Sequence, residues 1–80
     1  MYNIAISNTA KNEVKTFSKD IREKVVSILE RVRINPQRYL KKVVGDSCYK
    51  IRFDSYKIFL DIENSSILIL TVKRSDYKDV

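Results

Sequence analysis

Histidine is absent from this chain, and cysteine, glycine and proline occur once each. With Cys48 alone, no disulfide can close within the chain. A zinc site built from histidine and cysteine is excluded as well, and so is a histidine that would activate Cys48 as a nucleophile. Cys48 reads instead as a small buried or edge residue, and no metal or other cofactor is expected. The single glycine and single proline leave few permissive joints, so short loops are expected. Long apolar runs are also missing: the longest, Ile67 to Val72, is far short of the roughly 20 residues of a spanning helix. The opening Met1-Tyr2-Asn3 and the very short apolar run after it do not read as a signal peptide. A cytoplasmic location without a membrane partner is the expectation.

What is present points to a folded, basic domain. Eighty residues suffice for one domain, spanning 1–80, with a thin core: a chain of this size buries roughly 60–68% of its unfolded surface. The apolar fraction of 44% is too high for a disordered tail. Sixteen Lys and Arg against ten Asp and Glu leave a net charge of +6, which suits a polyanionic partner, nucleic acid being the commonest.

Residues 2–7 alternate apolar and polar, as an initial strand does. Ser7, Asn8 and Thr9 then offer N-cap oxygens, and Ala10, Val14 and Phe17 share one face of a short helix. Ser18 and Asp20 can cap a longer helix whose apolar stripe is Ile21, Val25, Ile28, Leu29 and Val32. Pro36 ends it, because a residue before proline avoids helical geometry. The two helices, joined so briefly, are expected to form an antiparallel hairpin. A basic connection with Arg38, Lys41 and Lys42 follows, with a short strand expected near Val43-Val44. Three strands come next, Cys48 to Phe53, Tyr56 to Ile62 and Ser66 to Lys73, joined by turns at Asp54-Ser55 and Asn64-Ser65. The order β-α-α-β-β-β predicts an α+β domain in which an antiparallel three-stranded meander is covered on one face by helices.

Alternation along strands turns register into a surface prediction. With Asp54-Ser55 as a two-residue loop, Phe53 pairs with Tyr56, Arg52 with Lys57, Ile51 with Ile58 and Lys50 with Phe59. Tyr49, Ile51, Phe53, Tyr56, Ile58 and Leu60 then face the helices, while Lys50, Arg52 and Lys57 face away. With Asn64-Ser65 as the second loop, Ile62 pairs with Ile67 and Lys57 with Val72. Ile67, Ile69 and Thr71 join the core face, and Leu68, Leu70, Val72 and Arg74 the basic one. Lys50, Arg52, Lys57 and Arg74 thus converge on an open sheet face. Like charges opposite one another are destabilising, and a phosphate would offset that cost. A solvated face with lysines that discourage edge aggregation is the plainer account; it explains scattered lysines better than Arg and Lys paired on adjacent central strands. Phe59, on the same face, suits either base stacking or packing. Lys41, Lys42 and Lys73 are further candidates for RNA contact. Asp61 and Glu63 flank a turn and read as solvated carboxylates.

The stretch from Gly45 through Cys48-Tyr49-Lys50-Ile51-Arg52-Phe53-Asp54-Ser55-Tyr56-Lys57-Ile58-Phe59 resembles the Y-[KR]-[IV]-[KR] … Y-R-[IVL] core of the RelE/ParE toxin superfamily. Ile69-Leu70-Thr71-Val72-Lys73-Arg74 is similar to its last strand, and residues 10–19 and 25–36 to its helices. The resemblance spans nearly the whole chain. It implies the toxin of a type II toxin–antitoxin system, a ribosome-dependent endoribonuclease of RelE type neutralised by a cognate antitoxin, with ribosome and mRNA as further partners. The family's basic pair falls on Lys50 and Arg52, the arginine of its next strand on Lys57, its terminal arginine on Arg74 and its late tyrosine on Tyr77. Lysine at 57 lacks arginine's bidentate phosphate geometry.

Histidine is not required for such chemistry, since RNA is cut when its own 2′-OH attacks the adjacent phosphate. Lys50, Arg52 and Arg74 would stabilise the developing charge. Crowded cations disfavour one another's charged form, which would suit Lys50 or Lys57 to proton transfer, and Tyr77 would orient a base. A ParE-like, non-enzymatic inhibitor of DNA gyrase is the alternative within the superfamily. A non-catalytic RNA- or ribosome-binding module is the alternative outside it.

Overall fold

The computed structural model describes the backbone of residues 1–42 and 48–74 and the side chains of 1–40 and 48–74. Strand β1 (Asn3–Ile6) leads into helices α1 (Asn8–Lys15) and α2 (Lys19–Ile34). A 3-10 turn (Pro36–Arg38) and a two-residue strand β2 (Lys41–Lys42) precede β3 (Tyr49–Phe53), β4 (Tyr56–Glu63) and β5 (Ser66–Arg74). All five strands form one sheet in the order β1-β5-β4-β3-β2. It is antiparallel from β2 to β5, and β1 joins the edge parallel to β5. The expected α+β order is present. The extra short strand lies at Lys41–Lys42, and Val43-Val44 fall outside the described residues.

Local chemistry sets the element ends. Ser7 Oγ accepts the Ala10 N–H at 3.0 Å and starts α1; Ser18 Oγ accepts the Ile21 N–H at 3.4 Å at the head of α2. Asn35, held extended ahead of Pro36 (φ −145°, ψ 78°), closes α2. Asp54 (φ 50°) and Asn64 (φ 55°) open the two hairpin turns in the left-handed region, which Asn and Asp tolerate best after glycine. Asp54 also pairs with Lys24 of α2, and this hydrogen bond and charge raise the Lys24 pKa above its usual 10.5.

Ala10, Val25, Leu29 and Val32 from the helices meet Ile51, Ile58, Leu60, Ile67, Ile69 and Val72 from the sheet in one buried cluster. Helix α1 packs on β5, and α2 meets β1 and the 3-10 turn. Among the described residues no helix is long and apolar enough to cross a membrane.

The β3–β4 register is the expected one throughout. The β4–β5 ladder starts as expected, with Ile62 opposite Ile67, but shifts between Leu60 and Phe59. Leu60 pairs with Ile69 and Phe59 with Thr71, so Leu70 is an extra residue and β5 carries a bulge. Beyond it, Ile58 faces Val72, Lys57 faces Lys73 and Tyr56 faces Arg74. Three expectations are corrected by this shift. Lys57 does not pair with Val72; Val72, not Thr71, lies on the core face; and Arg74 leaves the row of open-face cations to Lys73. The bulge buries Val72 to 1% exposure against Ile58, while the Thr71 hydroxyl donates to Glu13 Oε1 at 2.6 Å. Regular alternation would have buried the threonine and exposed the valine.

Candidate nucleic-acid interface

Partners in a ladder share a face of the sheet, with Cβ atoms roughly 4.5–5.5 Å apart. Arg52, Lys57 and Lys73 therefore form a transverse row of cations across β3, β4 and β5. The neighbouring row is Lys50, Phe59 and Thr71, extended by Lys41 of β2 in register with Lys50. Lys42 falls in register with Tyr49, one row over. Of the expected cluster, Lys50, Arg52 and Lys57 are together; Lys73 stands where Arg74 was expected. Arg74 ends β5 in register with Tyr56, exposed, in the row of Phe53. Tyr77 lies outside the described residues.

Burial within the row is uneven. Lys57 is 6% exposed, the one buried charged residue among those described. Its ammonium sits 5.8 Å from the centre of the Phe59 ring, within cation–π range. Arg52 and Lys73 on either side are exposed, and Lys50 and Phe59 are half-buried. Lys50, Arg52 and Lys73 take no part in the ion pairs among the described residues, Lys24–Asp54 and Arg33–Glu30. Such an arrangement presents fixed positive charge, with an aromatic ring amid it, to a ligand lying across the strands. That is the combination a single-stranded nucleic acid requires for its phosphates and bases.

Two flanking regions complete the surface. Toward β1 the same face turns apolar: Leu68 is 40% exposed and in register with Ala5, and Leu70 is half-buried. Toward the end of β5, Tyr56 lies 4.9 Å from Phe17 and 5.5 Å from Phe53, ring centre to ring centre. A shallow groove there runs between α1 and β5, bounded by Asn12, Thr16, Phe17, Lys73 and Arg74. Asp61 and Glu63 lie opposite Leu68 and Ser66. Glu13, which accepts from Thr71 and Val72 beside the bulge, carries no signal of its own in the sequence. The nearest clue is Thr71, the one hydroxyl in an otherwise aliphatic run.

No family model and no curated protein matches the sequence. Its three-dimensional arrangement does have counterparts among RelE toxin and RelBE complex structures. A chain of a RelBE toxin–antitoxin complex from Mycobacterium tuberculosis superposes with a TM-score of 0.84 at 19% identity, covering 91% of this chain and 96% of that one. A chain of the intact E. coli RelBE toxin–antitoxin complex gives 0.81 at 20% identity, covering 95% and 99%. The isolated E. coli RelE toxin gives 0.80 at 16% identity, covering 99% and 89%. The class is thus the α+β domain, and the particular fold is that of the RelE structures.

Proposed function

We propose that this chain is the toxin of a toxin–antitoxin pair, a RelE-like endoribonuclease that cuts messenger RNA on the ribosome. The observation that carries the reading is the transverse row Arg52–Lys57–Lys73, with Lys50 and Phe59 beside it. The exposed Arg52 and Lys73 on either side of the row offer charged donors to a bound phosphate. The RelE fold and the presence of RelBE complexes among its structural counterparts support the same reading.

In this mechanism the 2′-OH of the RNA gives its proton to a general base, Lys50 or Lys57, and its oxygen attacks the adjacent phosphorus. The bond to the 5′-oxygen breaks, and a lysine ammonium protonates that leaving oxygen. The products are a 2′,3′-cyclic phosphate and a 5′-hydroxyl end. Arg52 and Lys73 stabilise the charge that builds on the phosphate oxygens, and Arg74 adds to it from the end of β5. Phe59, and Tyr77 from the tail, offer aromatic faces to bases, and Lys41 and Lys42 extend the phosphate contacts. A site without histidine has weak acid–base equipment, so the ribosome supplies the alignment of the message. The apolar half of the face around Ala5, Leu68 and Leu70 receives an apolar segment of the antitoxin. The site of action is the cytoplasm.

The test adds purified protein to a translation extract and maps message ends by primer extension. Naked message and the variants Lys50→Ala, Arg52→Ala, Lys73→Ala and Arg74→Ala serve as controls. New ends that need ribosomes and fade in the variants are expected. Intact message with folded protein would sink the nuclease reading; if the protein still sedimented with ribosomes, a non-catalytic binding module would replace it.

A further inference from the structure

The end of β5 has two possible registers, and they present different cations. In the bulged register Val72 is buried and Lys73 joins Arg52 and Lys57. In a regular ladder Val72 would face outward, Lys73 would turn toward the helices and Arg74 would take its place in the row. The identity of the third cation therefore depends on whatever holds the bulge.

Helix α1 supplies that hold. Strand β1 accompanies β5 only as far as Ile69. From there Ser7 takes over the edge: its N–H donates to the Ile69 carbonyl at 2.9 Å and its Oγ to the Leu70 carbonyl at 2.7 Å. The half-buried Glu13 follows, one carboxylate oxygen, Oε1, accepting both the Thr71 hydroxyl at 2.6 Å and the Val72 N–H at 3.0 Å. These are charge-assisted bonds to the two residues that directly follow the extra one. A regular ladder would turn the Val72 N–H toward β4 and away from this carboxylate.

We propose that Glu13 is a positioning residue of the cation site: by clamping Thr71 and Val72 it locks the bulged register and so places Lys73, rather than Arg74, beside Lys57. This rests on the nuclease reading for its functional consequence, while the clamp itself is a structural claim.

The test pairs cleavage in the translation extract with amide exchange at Val72 and with thermal melting. Glu13→Ala is expected to slow cleavage and to speed Val72 exchange, each on the order of tenfold, as for residues joined in one hydrogen-bonded network. Glu13→Gln keeps an acceptor oxygen and is expected to stay near the parent. In a Lys73→Ala background, Glu13→Ala should add no further loss, because the cation it positions is already gone. A merely structural role would lower both backgrounds by the same factor, and that result overturns the proposal. So does unchanged cleavage in folded Glu13→Ala, whether or not Val72 exchange rises. If Glu13→Ala does not fold, Thr71→Val, which removes only the hydroxyl donor, takes over the same comparisons. A parent protein that leaves message intact counts against the nuclease reading, and the Val72 exchange rates then decide the clamp alone.

Discussion

The two faces of the sheet are built from the same strands by opposite rules. On the helix-covered face, Ile51, Ile58 and Val72 form one transverse row and Leu60 and Ile69 belong to the next, each residue 5% exposed or less. One residue along each strand, on the open face, the row is Arg52, Lys57 and Lys73. The covered face lowers the free energy of the fold by removing apolar surface from water. The open face gathers cationic side chains instead, and that contrast is the reason for proposing it as the site of function.

The largest effect should come from the covered face. Ile58→Ala, at 0% exposure in the middle of its row, is expected to cost about 2–5 kcal/mol of stability by urea unfolding. Cleavage would be lost with the fold. The open face should behave in the opposite way. Arg52→Gln is expected to change stability by no more than about 0.5 kcal/mol, yet to reduce cleavage by roughly 10²–10³-fold, as for loss of one transition-state charge partner. If the two variants lost activity and stability in the same proportion, the division between the faces would fail.

Smaller effects sharpen the comparison at the sheet edge. Ser7→Ala removes both the α1 cap and the bond to the Leu70 carbonyl, whereas Ser18→Ala removes a cap alone. Each is expected to cost about 0.5–2 kcal/mol, with Ser7 the more costly, which thermal melts of the two variants would rank. The least effect belongs to the exposed Lys24–Asp54 pair. Lys24 titrates above 10.5 in the folded protein because of Asp54. Its small contribution should be fully present below the unfolded pKa and disappear as pH rises through the folded value. Melting curves of Lys24→Met and the parent should converge at high pH; a gap that widened there would contradict the assignment.

Much of this was legible in the residues. Asp54 and Asn64 stand where a two-residue turn needs positive φ, so the β3–β4 register and the start of β4–β5 followed from turn chemistry alone. The helix starts followed from the capping candidates Ser7, Asn8 and Thr9 for α1 and Ser18 and Asp20 for α2, of which Ser7 and Ser18 serve, and the end of α2 from Pro36. Lys50, Arg52 and Lys57 came together because polar and apolar residues alternate along β3 and the first half of β4. From Ile67 to Val72 that alternation stops: only Thr71 interrupts the aliphatic run, so period-two reasoning had no signal with which to detect an extra residue. Strict alternation therefore puts Arg74 in the basic row and Lys73 outside it, and the bulge reverses the two.

The sequence by itself determined the order of elements, the two hairpin turns and the charge pattern of β3 and β4, because each depends on residues adjacent in the chain. The tertiary structure decided that β1 joins β5 in parallel, that Leu70 is extra and that Lys73 completes the row. Those outcomes depend on Glu13 meeting Thr71 and Val72 across nearly sixty residues of chain, and on Ile58 finding Val72 rather than Thr71 to bury against. Contacts between distant segments choose among registers that local preferences leave nearly equal in free energy.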